Sequence, residues 1–303
     1  MKTTFSLALR FAQNGAKRIP MSLVVALAVT FLHLNAAALD VNLGTANNFA
    51  VLAGSTVTSA STTTINGGDV GLSPGTSITG PITINPSYTT HVADGVALQA
   101  QNDLTTAYNQ AAGLALTATL TGTDLGGLTL TPGVYFFSSS AQLTGKLTLN
   151  GEGLADPVFV FQIGSTLTTA PGSSVVTIND GDSSTPGISV FWQVGSSATL
   201  GTGTAFEGNI LALTSITADT GATVLDGRLL ARKGAVTLDG NNIMAPPAEV
   251  IGGGGGGGGN VPDTGSTLLL LGFGVATLFA FKALSAWQRS GSLIAGGPVH
   301  PAI

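Results

Sequence analysis

Charge is what this sequence most lacks. Only 8% of its 303 residues are Asp, Glu, Lys or Arg, against roughly a quarter in an ordinary globular chain. The net charge is -5, and no basic cluster occurs. A surface that binds nucleic acid by neutralising phosphates is therefore excluded. Cysteine is absent, which removes disulfides, thiol nucleophiles and thiolate metal sites together. His91 is the only histidine between the N-terminal leader and the C-terminal tail, so a histidine-based triad or metal cluster has nothing to be built from. The acids of the intervening region are scattered: Asp69, Asp94, Asp103, Asp124, Glu152, Asp156, Asp180, Asp182, Glu207, Asp219, Asp226 and Asp239. Most sit beside Gly or Pro, where such residues favour turns for local reasons. Asn179-Asp-Gly-Asp-Ser183 has the start of a calcium loop but lacks the later acidic ligand. Gly145-Lys146 is followed by Leu, so it is no phosphate loop. The expectation is no enzyme, no cofactor and no metal.

What is present is a repeat. Val158-Phe-Val-Phe-Gln-Ile-Gly-Ser-Thr-Leu167 returns as Val190-Phe-Trp-Gln-Val-Gly-Ser-Ser-Ala-Thr-Leu200. Asn209-Ile-Leu-Ala-Leu213 and Arg228-Leu-Leu-Ala-Arg232 echo it in shorter form. Equating Gln193, Ala212 and Ala231 gives two steps of 19 residues; the step from Gln162 to Gln193 is 31, with a turn-rich insertion at 179–187. Strand-like repeats of about 20 residues indicate a solenoid whose coils bury their apolar sides on one another.

The same alignment stacks small hydroxyl residues. Ala170-Pro-Gly-Ser173, Gly201-Thr-Gly-Thr204 and Thr220-Gly-Ala-Thr223 fall in one register, which predicts a column of Ser173, Thr204 and Thr223. Matching 147–151 to 176–180 puts Thr144 over Ser173. Coils about 4.8 Å apart, with alternate residues about 6.7 Å apart along a strand, would make these rows a regular lattice. Thr is also enriched in strands of every kind, so the rows have an ordinary reading as well.

Residues 1–38 read as an export signal: Lys17 and Arg18, then the apolar run Met21 to Leu34, then Ala36-Ala-Ala38 as a cleavage site. Residues 39–246 form the solenoid domain. Within it, about 92–114 is the one clear helix, with Val92, Val96, Ala100, Leu104, Ala107, Ala111 and Leu114 at helical spacing. The strand 158–163 is apolar on both alternations, so the helix is expected to cover its outer side. Residues 247–260 are a Pro/Gly linker with eight consecutive glycines. Residues 261–289 carry Val261-Pro-Asp-Thr-Gly265 and an apolar run from Thr267 to Phe281, followed by Lys282 and Arg289. Such a segment suits a membrane anchor with a snorkelling lysine. A tail of 290–303 remains.

The domain resembles the microbial ice-binding protein family of DUF3494 type. The matching segments are Asn47-Asn-Phe-Ala-Val-Leu-Ala53, Gly68-Asp-Val-Gly-Leu-Ser-Pro-Gly75, Leu130-Thr-Pro-Gly-Val-Tyr135, Val190 to Thr202, Phe206-Glu-Gly-Asn-Ile-Leu-Ala212 and Gly227-Arg-Leu-Leu-Ala231. The resemblance implies an all-β fold with one long helix: a discontinuous right-handed β-helix of triangular section, the helix along one face and the first strand beside the C-terminal coils. It also implies a binding face with a loose Thr-Ala/Gly-x-Thr/Asn pattern. Thr220-Gly-Ala-Thr223 meets this pattern fully, and Gly201-Thr-Gly-Thr204 meets it in part. Pro171 departs from it. The expected face is Thr56, Thr58, Thr144, Ser173, Thr202, Thr204, Thr220 and Thr223. The tail resembles the VPDSG variant of the PEP-CTERM sorting signals, with Val261, Pro262, Asp263, Thr264 and Gly265 as the motif and Thr in place of the usual Ser.

The expected function is adsorption to ice and its ordered water, by a protein exported and held at the cell surface. The membrane, through the C-terminal segment, and an exosortase-like processing enzyme are the other implied partners. The competing reading is a cell-surface adhesin or structural solenoid that binds glycan or protein.

Overall fold

The computed structural model describes residues 41–181 and 187–246. The leader, the linker, the sorting motif and part of the 179–187 insertion lie outside them. Strands are numbered in chain order. Each coil visits three sheets in turn, and every pairing is parallel.

Sheet A runs β7 (Thr90–Val92), β4 (Asp69–Leu72), β1 (Phe49–Ala53), β22 (Leu229–Ala231), β19 (Asn209–Ala212), β16 (Ser189–Val194), β13 (Val158–Ile163), β10 (Gly133–Phe137), β8 (Ala118–Thr119). Sheet B runs β11 (Ala141–Leu143), β14 (Leu167–Thr169), β17 (Ala198–Leu200), β20 (Ile216–Ala218), β23 (Val236–Leu238), β2 (Thr56–Ser59), β5 (Ser77–Thr79). Sheet C runs β6 (Ile82–Ile84), β3 (Thr63–Asn66), β24 (Asn242–Met244), β21 (Thr223–Leu225), β18 (Ala205–Glu207), β15 (Ser174–Ile178), β12 (Lys146–Asn150), β9 (Thr129–Leu130). The solenoid is discontinuous. The coil of β1, β2 and β3 stacks on that of β22, β23 and β24, so the last coil of the chain lies inside the stack.

The interior is filled by the inward residues of all three sheets. Sheet A contributes an aromatic ladder: Tyr135 stacks on Phe161, and Phe161 lies 3.9 Å from Trp192 with planes 7° apart. Trp192 then tilts against Phe206 of sheet C. Parallel in-register strands place like residues one above another, and offset stacking of such rings adds to their area burial.

The outer side of sheet A is covered by α1 (Gly95–Gly113). Asp94 caps it, accepting from the Ala97 amide at 2.8 Å. Ala97 is buried, and Ala100, Leu104, Ala107, Tyr108 and Ala111 pack inward in one cluster with Val134, Val160, Phe191, Leu211 and Leu230. The expected stripe is corrected at its start: Val96 is 48% exposed, and Val92 belongs to β7. Asp94 in an extended conformation sets the phase of the helix there. Gln162 donates to the carbonyls of Ala111 and Leu114 at 2.8 and 3.0 Å, closing the helix C-terminus. Among the described residues, no helix is long and apolar enough to cross a membrane.

Candidate functional site

Among the described residues, no helix packs over sheets B and C. On sheet B the strands are only three or four residues long, and in six of the seven a polar residue lies between two buried ones. The inward flanks are Leu167, Ala198, Leu200, Ile216, Ala218, Val236, Leu238 and Val57, all buried. The outward residue between them is almost always threonine. The pairing Gln142↔Thr168↔Thr199↔Thr217↔Thr237↔Thr58↔Thr79 is continuous through all seven strands. Six consecutive coils thus present a threonine at one position. At about 4.8 Å per coil, the row is about 24 Å from first threonine to last.

A second row lies two residues back on each strand: Ser140, Thr166, Ser197, Ser215, Ala235, Thr56 and Ser77. Ladder hydrogen bonds set its register from Thr166 to Ala235, and Thr56 pairs with Ser77. Here the hydroxyls lock onto the neighbouring coil. Thr166 Oγ1 donates to Ser140 Oγ at 2.8 Å, and Ser197 and Ser215 accept from the amides of Ser215 and Ala235. In the central row, by contrast, no threonine hydroxyl bonds to another described residue. The sheet B strands carry no ionisable side chain. The strand face is thus uncharged and periodic in two directions, with one row of threonines whose hydroxyls are not tied to the protein.

Charged side chains lie in the turns that flank sheet B. Asp239 is held below the usual carboxylate range by hydrogen bonds from Ser61 and Thr220. Asp124 is pushed up by burial, but the Gly126 amide and Thr144 outweigh this and hold it low as well. These two carboxylates pin the turns beside the face.

Of the residues expected from the sequence, Thr56 and Thr58 lie in β2, one in each row. Thr144 is exposed immediately after β11, at the margin of the face. Thr202 and Thr220 are exposed and adjacent on the next turn, where the Gly203 amide donates to the Thr220 carbonyl. Of the predicted column, Ser173 and Thr204 do stand in register, but both are buried, and Thr223 falls one residue outside it. Ser173 is buried, donating to the Leu143 carbonyl and accepting from the Gly145 amide. Thr204 is fully buried, its hydroxyl 2.7 Å from that of Thr169. Thr223 pairs with Ala205 and faces outward on sheet C.

Thr223 and Thr144 leave the column by one residue of register. Gln193 pairs with Leu211 rather than Ala212, so that step is 18 residues and not 19. Likewise Leu147 pairs with Val175 rather than Val176. A slip of one turns every side chain to the opposite face. Thr79, Thr168, Thr199, Thr217 and Thr237, the bulk of the central row, are absent from the expected site. The signal that would have found them is the recurrence of buried-Thr-buried triplets: Ala198-Thr-Leu200, Ile216-Thr-Ala218 and Val236-Thr-Leu238.

Among the described residues, no group of three or more His, Asp and Glu is arranged to hold a metal ion. The sorting motif, Val261 to Gly265, and residues 182–186 of the proposed loop lie outside the described residues.

The family model described as ice-binding-like matches residues 51–244, and a VPDSG-CTERM motif model matches residues 260–285. An ice-binding protein of Nostoc sp. (strain HG1) is 54% identical over 243 residues, covering 79% of this chain and 86% of that one. An ice-binding protein of Colwellia sp. is 37% identical, covering 68% and 84%. Among solved structures, an ice-binding protein from an Antarctic biological consortium has 50% identity and a TM-score of 0.62, covering 68% of this chain and 90% of that one. That of the Antarctic ascomycete Antarctomyces psychrotrophicus has 43% identity and a TM-score of 0.61, covering 67% and 97%. With its family match spanning both ends of the solenoid, this chain belongs to the ice-binding-like family.

Proposed function

We propose that this protein adsorbs to ice through the outer side of sheet B. The observation that carries this reading is the unbroken row Thr168, Thr199, Thr217, Thr237, Thr58 and Thr79. Each threonine offers a hydroxyl that can donate and accept, and a methyl that limits where neighbouring water can sit. Water-mediated contacts are nearly as favourable as direct ones and cost little immobilisation entropy each. The parallel ladders and the second-row locks fix the row before ice is met, so little ordering is left to be done on binding. Thr56 belongs to the same surface; Thr144, Thr202 and Thr220 form its margin. The action is adsorption, not catalysis.

The sorting motif supports export and retention at the cell surface. On this reading residues 1–38 direct secretion, 247–260 are a tether, and 261–289 engage the membrane and an exosortase-like enzyme. A surface-held ice binder would fix its cell to ice.

The test is Thr217→Tyr, in the centre of the row. It is expected to lower thermal hysteresis at least about tenfold, with the melting temperature kept, because one ring lifts the neighbouring coils off the crystal and the contacts act only together. Wild-type hysteresis in folded Thr217→Tyr protein would move the site off sheet B.

A further inference from the structure

In a simple stack the end of the chain is also the end of the pile, and it peels first. Here the outermost strands are β5, β6 and β7 at one end and β8, β9 and β11 at the other. The coil that leads to the tail is bonded on both edges in all three sheets. β22 lies between β19 and β1, β23 between β20 and β2, and β24 between β21 and β3.

The exit itself is fastened. The Ala245 amide donates to the Asn66 carbonyl at 3.0 Å, and Ala245 is buried in the main core. At Gly67, with φ +83°, an added Cβ would lie 1.8 Å from the Ala245 carbonyl oxygen, so only glycine lets the first coil close over the exit. Arg228 is 2% exposed and holds three oxygens at once: Nε to the Asn47 carbonyl at 3.0 Å, one terminal nitrogen to Asn209 Oδ1 at 3.0 Å, and the other to the Pro246 carbonyl at 2.9 Å. One side chain thereby joins the entry to the first coil, the middle of the stack and the last residue before the linker. Burial lowers its pKa to about 10, so it stays charged at neutral pH. All three partners are neutral oxygens. A buried charge of this kind is held by its full set of hydrogen bonds, and losing one leaves it uncompensated.

We propose that this coil is a mechanical joint, clasped by Arg228, which passes tension from the C-terminal tether into the solenoid without peeling it. The proposal rests on the surface-anchored reading, since only a tethered chain is pulled at residue 246. An internal strand must break two ladders together where an edge strand breaks one.

The absence of cysteine makes the test direct, because any introduced thiol is a unique handle. Thr217→Cys provides a grip on sheet B, and the full chain in detergent is pulled between it and the C-terminal end. The control pulls the same residue against Ser87→Cys, in the edge coil. The expected unfolding force is about twofold higher along the first path, as two ladders replace one. Arg228→Met and Arg228→Lys are expected to bring it down to the edge value and to leave the control path unchanged. Asn209→Ala, which removes one acceptor, does the same in part if the arginine variants do not fold. Equal forces along the two paths, or an undiminished first-path force in folded Arg228 variants, would overturn the joint. Thermal hysteresis of the unsubstituted chain separates the two readings. Normal hysteresis with equal forces along the two paths refutes the joint alone, and absent hysteresis with a strong joint refutes ice binding alone.

Discussion

Thr204 commits its hydroxyl to Thr169 inside the fold, whereas Thr217 holds its own out to solvent in the middle of sheet B. Thr204→Val is expected to cost about 1–3 kcal/mol, since Thr169 loses a partner where water cannot replace it. Denaturant melts should show the loss, while hysteresis per folded molecule stays at the wild-type value. Glu207 gives a different kind of test. Burial raises its pKa and the nearby Asp226 raises it further, against hydrogen bonds from Thr177. A carboxyl with a raised folded-state pKa binds its proton more tightly in the fold than in the unfolded chain, so stability falls as pH rises through that window. Glu207→Gln should therefore raise the melting temperature at neutral pH. The gain should shrink at acid pH, where the wild-type carboxyl is already neutral.

At the scale of elements, one carboxylate fixes α1 to the segment that enters the first coil. Asp103 accepts from the amide and the hydroxyl of Thr45 at 2.8 and 2.6 Å, and from Gln99 at 2.8 Å. Burial opposes its ionisation, but these bonds hold its pKa below the ordinary value. A depressed carboxylate gives stability that is present above the unfolded pKa and lost as pH falls through the folded one. Melting temperature should thus drop as the solution passes below about pH 4, and less steeply in Asp103→Asn. The helix was legible because nineteen residues give a period room to declare itself. So was the pairing of Gln162 with Gln193, where six-residue strands carry matching aromatic neighbours. The hydroxyl face was only half legible. Its strands are three residues long, and alternation over three residues hardly differs from chance in a sequence rich in Thr and Ser. The longer Gly-Thr turns beside it drew the alignment instead, and they repeat with a different spacing from the strands they join. Leu143 pairs with Thr169, but Lys146 pairs with Ser174, because the intervening turns differ in length by two residues. A single offset cannot serve both.

For the whole molecule, the governing fact is that Val51 pairs with Leu229. The coil of residues 49–66 has no neighbour on that side until residues 229–244 exist. Such distant pairing slows folding. Removing residues 227–246 should leave the first coils without a seat. The truncated chain is expected to lose the cooperative melt of the full domain, and circular dichroism against temperature would check it. The arrangement also acts as an inspection of completeness. Thr237 comes from the final coil, yet it stands between Thr217 and Thr58 in the row. A chain released early by the ribosome, or clipped before its end, carries two short fragments of the pattern rather than one, and so cannot compete with finished copies for the crystal.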